Sequence, residues 1–168
     1  MQEKGVSVDQ DEFYMRRAIA LARRGERWVS PNPMVGAVIV RDGTIIGRGF
    51  NQREGRNDPS AHAEMIAIRQ AARKIHAWRL TGTTLYVTLE PCPMCMGAIL
   101  LARIDRVVFG CFDPKGGAAG SLYNLAEDPR FNHQTTLTSG IRGAECSTIL
   151  SDFFRNLRQE KKQSGNEA

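Results

Sequence analysis

Tyr14, Ala18, Leu21 and Ala22 fall at i, i+4, i+7 and i+8, one face of an amphipathic helix that should end by Gly25. The turn-rich stretch Ser30-Pro31-Asn32-Pro33 leads into the apolar run Val35–Val40. Asp42-Gly43 separates that run from Thr44–Phe50, the local signature of a β-hairpin. Asn51 to Asp58 reads as polar loop. Pro59-Ser60 opens a second helix, with Ser60 the expected N-cap and Met65, Ile68, Ala72 and Ile75 at helical spacing. Thr83–Leu89, rich in β-branched residues and Tyr, reads as a strand. After Pro91, the positions Cys95, Ala98, Ile99 and Ala102 mark a third helix, and Ile104–Phe109 returns as a strand. A Gly-rich loop spans Gly116–Gly120, and a further short strand is expected near Thr135–Thr138. The last helix puts Cys146, Ile149, Leu150, Phe153 and Leu157 on one stripe before a Lys/Gln/Gly tail.

Strands that alternate with helices of this length call for an α/β architecture, a mixed sheet covered on both faces. The expected layout is a flexible tail over residues 1–10, one domain over 11–160 and a second tail over 161–168. The 168 residues suit one domain. An apolar share of 42% and a charged share of 24% exclude a disordered or collagen-like chain. The longest apolar run, Met96–Ala102, is far short of a bilayer span, and Met1–Glu12 carries no secretory h-region. The expectation is a soluble, cytoplasmic chain. Its 23 basic and 18 acidic residues give a net charge of +5, which permits a nucleic-acid partner without requiring one.

Four cysteines are too few for a disulfide scaffold. Cys92 and Cys95 form a C-x-x-C pair, which in a reducing compartment is more often metal-binding or catalytic than structural. Cys111 and Cys146 read as buried, apolar-like residues. His62-Ala63-Glu64 and Pro91-Cys92-Pro93-Met94-Cys95 both stand at helix starts. His and Glu two residues apart sit about 200° round a helix, so both reach one ion only at the helix's N-terminal mouth. Cysteines three apart in a first turn share one side, where the helix dipole favours thiolates.

One His and two Cys leave a tetrahedral zinc with an open position, the pattern of a catalytic site. Glu64 would then be the general acid/base and not a ligand. Taken alone, the C-x-x-C pair also fits half a zinc ribbon or a redox couple, and the His a simple cap. H-x-E preceding P-C-x-x-C by one helix and one strand is, however, the joint signature of zinc deaminases acting on bases. His76 and His133 have no such partners and are not read as metal ligands.

With these motifs, the segments Gly47-x-Gly49-x-Asn51, Asp58 to Glu64, Thr88 to Cys92, Arg106 to Gly110 and Gly117 to Ser121 complete a pattern from about Tyr14 to Arg158. In this pattern the chain resembles the bacterial tRNA-specific adenosine deaminases of the cytidine-deaminase-like superfamily. The resemblance implies a three-layer α/β/α fold around a mixed sheet of about five strands. It implies one zinc per chain on His62, Cys92 and Cys95, with Glu64 shuttling protons. Asn51 would hydrogen-bond the flipped purine, and the Ala63 backbone would line the pocket. Asp113, Lys115, Asn132, His133, Phe154 and Arg155 would lie along the RNA path, with Arg158 adding charge to it. It further implies a homodimer and, as substrate, the wobble adenosine of an arginine tRNA anticodon, an unpaired base that is cheap to flip.

From residue type alone, Asn51 and Asp113-Pro114 are ordinary turn residues, Lys115 a solvated charge and Phe154 a core side chain; the resemblance reverses this for Asn51 and Asp113. One departure stands out. The family usually carries an acidic residue shortly before Pro-Val-Gly-Ala, whereas this chain reads Ser30-Pro31-Asn32-Pro33-Met34-Val35-Gly36-Ala37. That run is closer to the deaminase domain of riboflavin biosynthesis, whose zinc cysteines are usually spaced several residues further apart. Two other readings therefore stand beside the first: a zinc deaminase of a free base or nucleotide, and a non-catalytic zinc-stabilised RNA-binding module.

Overall fold

The sheet is organised around a hairpin. In a computed structural model that describes residues 6–165, the first helix α1 (Val8–Arg24) and a single turn α2 (Glu26–Val29) precede strands β1 (Gly36–Arg41) and β2 (Thr44–Phe50). Asp42 and Gly43 both have positive φ, 49° and 73°, the type I′ geometry that Asp-Gly favours between twisted strands. There follow a short helix α3 (Arg53–Arg56), α4 (Ala63–Ile75), β3 (Thr83–Leu89), α5 (Pro93–Leu101), β4 (Arg106–Cys111), β5 (Thr136–Ser139) and α6 (Gly143–Gly165). The strand order is β2-β1-β3-β4-β5. β1 runs antiparallel to both its neighbours, while β3, β4 and β5 are mutually parallel. This is the expected five-stranded mixed sheet.

Strand alternation divides the core between two faces. Ala37, Ile39, Leu85, Val87, Val107 and Phe109 pack against Ala63, Ala67 and Ala71 of α4 and Met96 and Ile99 of α5. Val38, Val40, Tyr86 and Val108 pack on the other side against Tyr14, Met15, Ala18 and Ile19 of α1 and Cys146 of α6. Central strands covered on both faces read as near-continuous apolar runs, which is why the sequence showed them so plainly. α4 lies unusually close to β2. A Cβ at Gly49 would sit 2.2 Å from the carbonyl of Ala63, so only glycine lets the first turn of α4 rest on the end of β2. Cys146 is fully packed and Cys111 half-buried; burial pushes their thiols up to about 12 and about 11.

Several boundaries shift. α1 begins at Val8, capped by Ser7 accepting from the Gln10 N–H, so residues 8–10 of the expected N-terminal tail are helical. α6 continues to Gly165, because Gln, Glu, Lys and Arg are good helix formers even without a buried stripe. Residues 1–5 and 166–168 of the two expected tails lie outside the described residues. Ser60 is not the cap of α4: its N–H and hydroxyl both donate to Asp58 in a local turn, and the N-cap is His62. α2 and α3 are single turns, too short to leave a periodic signal. No helix among the described residues is long and apolar enough to cross a membrane.

A buried polar network ties α1 to the sheet. Asp11, only 3% exposed, accepts from the Tyr86 hydroxyl at 2.9 Å and from both Nη atoms of Arg106 at 2.8 and 2.7 Å. Arg106 Nη2 also donates to the Thr138 hydroxyl of β5. Removing Asp11 would leave the largely covered Arg106 guanidinium and the buried Tyr86 hydroxyl without their acceptor. Asp11→Ala is therefore expected to cost about 3 kcal/mol in chemical denaturation of the zinc-loaded protein. A loss below about 1 kcal/mol would show that the network is not a structural anchor.

Candidate zinc centre and base-binding cavity

His62 is the N-cap of α4, with extended backbone angles of −75° and 153°. Its side chain therefore leaves before the helix begins, while Ala63 and Glu64 occupy the first turn. The angular conflict between His62 and Glu64 disappears because only one of them is helical. Cys92 plays the same part for α5, with Pro93 at the first helical position and Cys95 one turn in. Both helices start at the same end of the sheet, where β2 and β3 finish.

The three expected ligands meet there. His62 Nδ1 lies 3.7 Å from Cys92 Sγ and 3.6 Å from Cys95 Sγ, and all three ligand atoms fall within 4.8 Å of one another. A tetrahedral zinc with ordinary Zn–N and Zn–S bonds would hold nitrogen and sulfur about 3.6 Å apart. The trio thus fits zinc in both donor chemistry and spacing. A hydrogen bond from Cys95, helped by His62, holds the Cys92 thiol down at about 4, while the Cys95 thiol is raised by Cys92 and by burial. The thiolate neighbour raises His62 as well.

Glu64 is buried beside them, and desolvation pushes its carboxyl up to about 7. A divalent cation alongside pulls it back toward the carboxylate. A group balanced between these effects can both take and give a proton near neutral pH.

A cavity of about 190 Å³ opens onto these groups, lined by His62, Glu64 and Cys92 together with Asn51, Arg53 and Asp113. Asn51 is buried and works at both ends: Nδ2 donates to Pro33 O at 3.0 Å, and Oδ1 accepts from the Ala63 N–H at 3.0 Å. One N–H and one lone pair remain to meet a base. The cavity shares Pro33, Leu89 and Asp113 with a groove of about 760 Å³ that carries Lys115, Phe154, Arg155 and Arg158. Phe154 is 40% exposed in that groove, and it is its neighbour Phe153 that enters the core.

Asn132 and His133 are not brought to this place. His133 Nε2 lies 2.9 Å from Ile104 O, just before the start of β4, whereas the cavity lies beyond the far ends of the strands. A groove of similar size, about 700 Å³, runs between α1 and β2 past Arg17, Arg24 and Arg48, but it lacks any of the site's titratable groups.

Two residues without an assigned role emerge here. Arg53, at the start of α3, lines the cavity. Glu90 is 2% exposed and cages the following loop. Its Oε2 accepts from Asp113 N and the Ser121 hydroxyl, and its Oε1 from Ala119 N and Ser121 N at 3.0 and 2.9 Å. Gly117 passes so close that a Cβ would meet the carboxylate at 2.2 Å. The available signal was a charge placed between an apolar strand and Pro91, followed downstream by a Gly-rich loop.

Residues 8–111 match the family model for the cytidine and deoxycytidylate deaminase zinc-binding region. The chain belongs to this family of zinc-binding deaminases, and zinc is the cofactor of the His62–Cys92–Cys95 site. Within that class, a tRNA-specific adenosine deaminase from Bacillus subtilis is 52% identical over 155 residues, covering 92% of this chain and 95% of its own. Among solved structures, a tRNA deaminase that edits adenosine to inosine at the wobble position is 41% identical with a TM-score of 0.77, covering 82% of this chain and 99% of that one. A diaminohydroxyphosphoribosylaminopyrimidine deaminase/reductase from Thermotoga maritima is 36% identical with a TM-score of 0.71, covering 91% of this chain and 42% of that one.

Ligand and proton shuttle separate in a metal assay. Cys92→Ser is expected to drop purified protein from about one zinc per chain to well under half, while Glu64→Gln keeps its zinc. Equal loss in both would make Glu64 part of the ligand set. Glu90→Gln makes a different test. Both carboxylate oxygens accept from backbone N–H groups, so the amide must turn an N–H against one of them, at about 1–3 kcal/mol of stability. An unchanged denaturation midpoint would mean that Glu90 does not hold the loop.

Proposed function

We propose that this chain deaminates adenosine to inosine at the wobble position of a tRNA anticodon, releasing ammonia. The observation that carries this reading is the continuity between the catalytic cavity and the groove of Asp113, Lys115, Phe154 and Arg155. A single base fits the small cavity, while cations and an exposed aromatic ring lie along the way to it. Single-stranded RNA is met in this manner, by phosphate contacts and stacking. Similarity to the Bacillus subtilis tRNA-specific adenosine deaminase supports the same substrate.

In the mechanism we infer, Asn51 and the first turn of α4 orient the purine. When bound, zinc supplies the Lewis acidity that makes hydroxide available from water near neutral pH. Glu64 takes the proton released by the attacking water and delivers it to the ring nitrogen next to C6. It then takes the remaining proton from the new C6 hydroxyl and passes it to the departing amine, so that the C6–N bond breaks as the C6 carbonyl forms, and one water enters as one ammonia leaves. Lys115 and Arg155 meet phosphates, Phe154 stacks with a base, and the free Oδ2 of Asp113 accepts from a ribose hydroxyl. Oδ1 of Asp113 already accepts from Lys115 N and Gly116 N. Asn132 and His133 lie outside this path within one chain.

We further read the enzyme as a cytoplasmic homodimer serving an arginine tRNA. α5 contains no polar side chain other than its thiol, and its outer face presents Met94, Gly97, Ala98 and Leu101, the last 71% exposed. A helix apolar all round is ordinarily covered. Nothing within 4 Å faces a Cβ at Gly97, so a second helix could pack closely there. The Pro31-Asn32-Pro33 run and the Thermotoga maritima similarity favour the alternative of a free base or nucleotide, such as a phosphoribosylaminopyrimidine.

An assay on a minimal anticodon stem-loop decides between them. Inosine should appear in the loop, and Glu64→Ala should retain RNA and zinc while kcat falls at least about 100-fold. Turnover confined to free bases or nucleotides would overturn the RNA reading.

A further inference from the structure

Arg53 is the fixed cation among the residues lining the catalytic cavity, and nothing in the reaction so far uses it. Its guanidinium is held from one side. Nη2 donates to Asn32 Oδ1, and Asn32 Nδ2 in turn donates to Glu54 Oε1 at 2.9 Å. The Asn32 amide is thereby oriented at both ends, and it orients the arginine. A carboxylate there would neutralise the guanidinium; the amide aims it and leaves its charge intact.

A second donor of Arg53 has no partner. Its Nε is buried without any hydrogen-bond partner. Among the described residues, no carboxylate lies within ion-pair distance of Arg53. Of the carboxylates that share the cavity, Glu90 is filled by loop donors, Asp113 spends one oxygen on its own loop, and Glu64 serves the proton transfers. A buried donor left unpaired costs free energy that a ligand can recover, and a planar fork with full charge matches phosphate oxygens.

We propose that Arg53, aimed by Asn32, binds the phosphodiester adjoining the nucleotide whose base enters the catalytic cavity. A nucleotide that enters base-first leaves its phosphate outside the base's own space, and Arg53 lines the cavity together with Pro33, which the cavity shares with the wider groove. This rests on the RNA reading above. The unusual Pro31-Asn32-Pro33 run then has a function: it supplies a neutral clamp for a substrate-binding charge.

Steady-state kinetics on the anticodon stem-loop test this. Arg53→Ala should raise KM about tenfold with kcat changed much less, and make binding less salt-dependent by about one phosphate contact. Arg53→Lys, which keeps the charge and loses the fork, should fall between. Asn32→Asp should also raise KM, because the new carboxylate captures the guanidinium. Stem-loops with one neutral methylphosphonate linkage, placed either 5′ or 3′ of the target adenosine, locate the contact. On one of the two, the wild type should lose the same tenfold and Arg53→Ala nothing further. Wild-type KM in Arg53→Ala, or equal further losses on both neutral linkages, would overturn the proposal. No wild-type turnover on any stem-loop would overturn the RNA reading first, and this inference with it.

Discussion

Everything at the catalytic end depends on two helices beginning at one point. α4 follows the antiparallel hairpin and α5 follows the first of the parallel strands, yet both leave the sheet from the same end and pack on the same face. Their cap residues, His62 and Cys92, are not helical and so can lean toward one another. A helix start also offers unpaired N–H groups and a positive dipole end, which favour thiolates and a carboxylate there. The sheet sets the distance between the two starts, and the tight seating of Ala63 on Gly49 sets the height of one of them.

Three carboxylates line a single small cavity, and surroundings give each a different part. Glu90 has both oxygens filled by backbone and hydroxyl donors, so it is an architectural anion. Asp113 spends one oxygen on its own loop and keeps the other. Glu64 sits buried beside the thiolate of Cys92, where its protonation is finely balanced. Residue type alone could not have sorted these roles, because burial and hydrogen-bond supply decide them.

The fold was largely legible because its signals are local. Asp42-Gly43 names its own turn, β1 and β3 are continuous apolar runs, and C-x-x-C after Pro91 announces a helix start. The zinc ligands were legible for the same reason, since each motif is complete within a few residues. What stayed hidden depends on partners remote in the chain. Arg53 means little until Asn32 is beside it, and Glu90 little until Ser121 folds back over it. Ser60 looked like a cap because Ser before a helical stretch usually is one; Asp58 captures it instead, and the next extended residue, His62, takes the position. The ends of α1 and α6 were read short because their outer turns are polar and leave no apolar stripe.

Glu90, Pro91 and Cys92 are consecutive, and each grips something different. Glu90 holds Asp113, Ala119 and Ser121; the Pro91 carbonyl accepts from Ala118 N at 2.8 Å; Cys92 joins His62 and Cys95 in the trio that fits zinc. Three adjacent residues thus knot the wall of the groove to the zinc-fitting trio. Groove and reacting centre therefore hang on one stretch of backbone, and a displacement at either end is passed to the other.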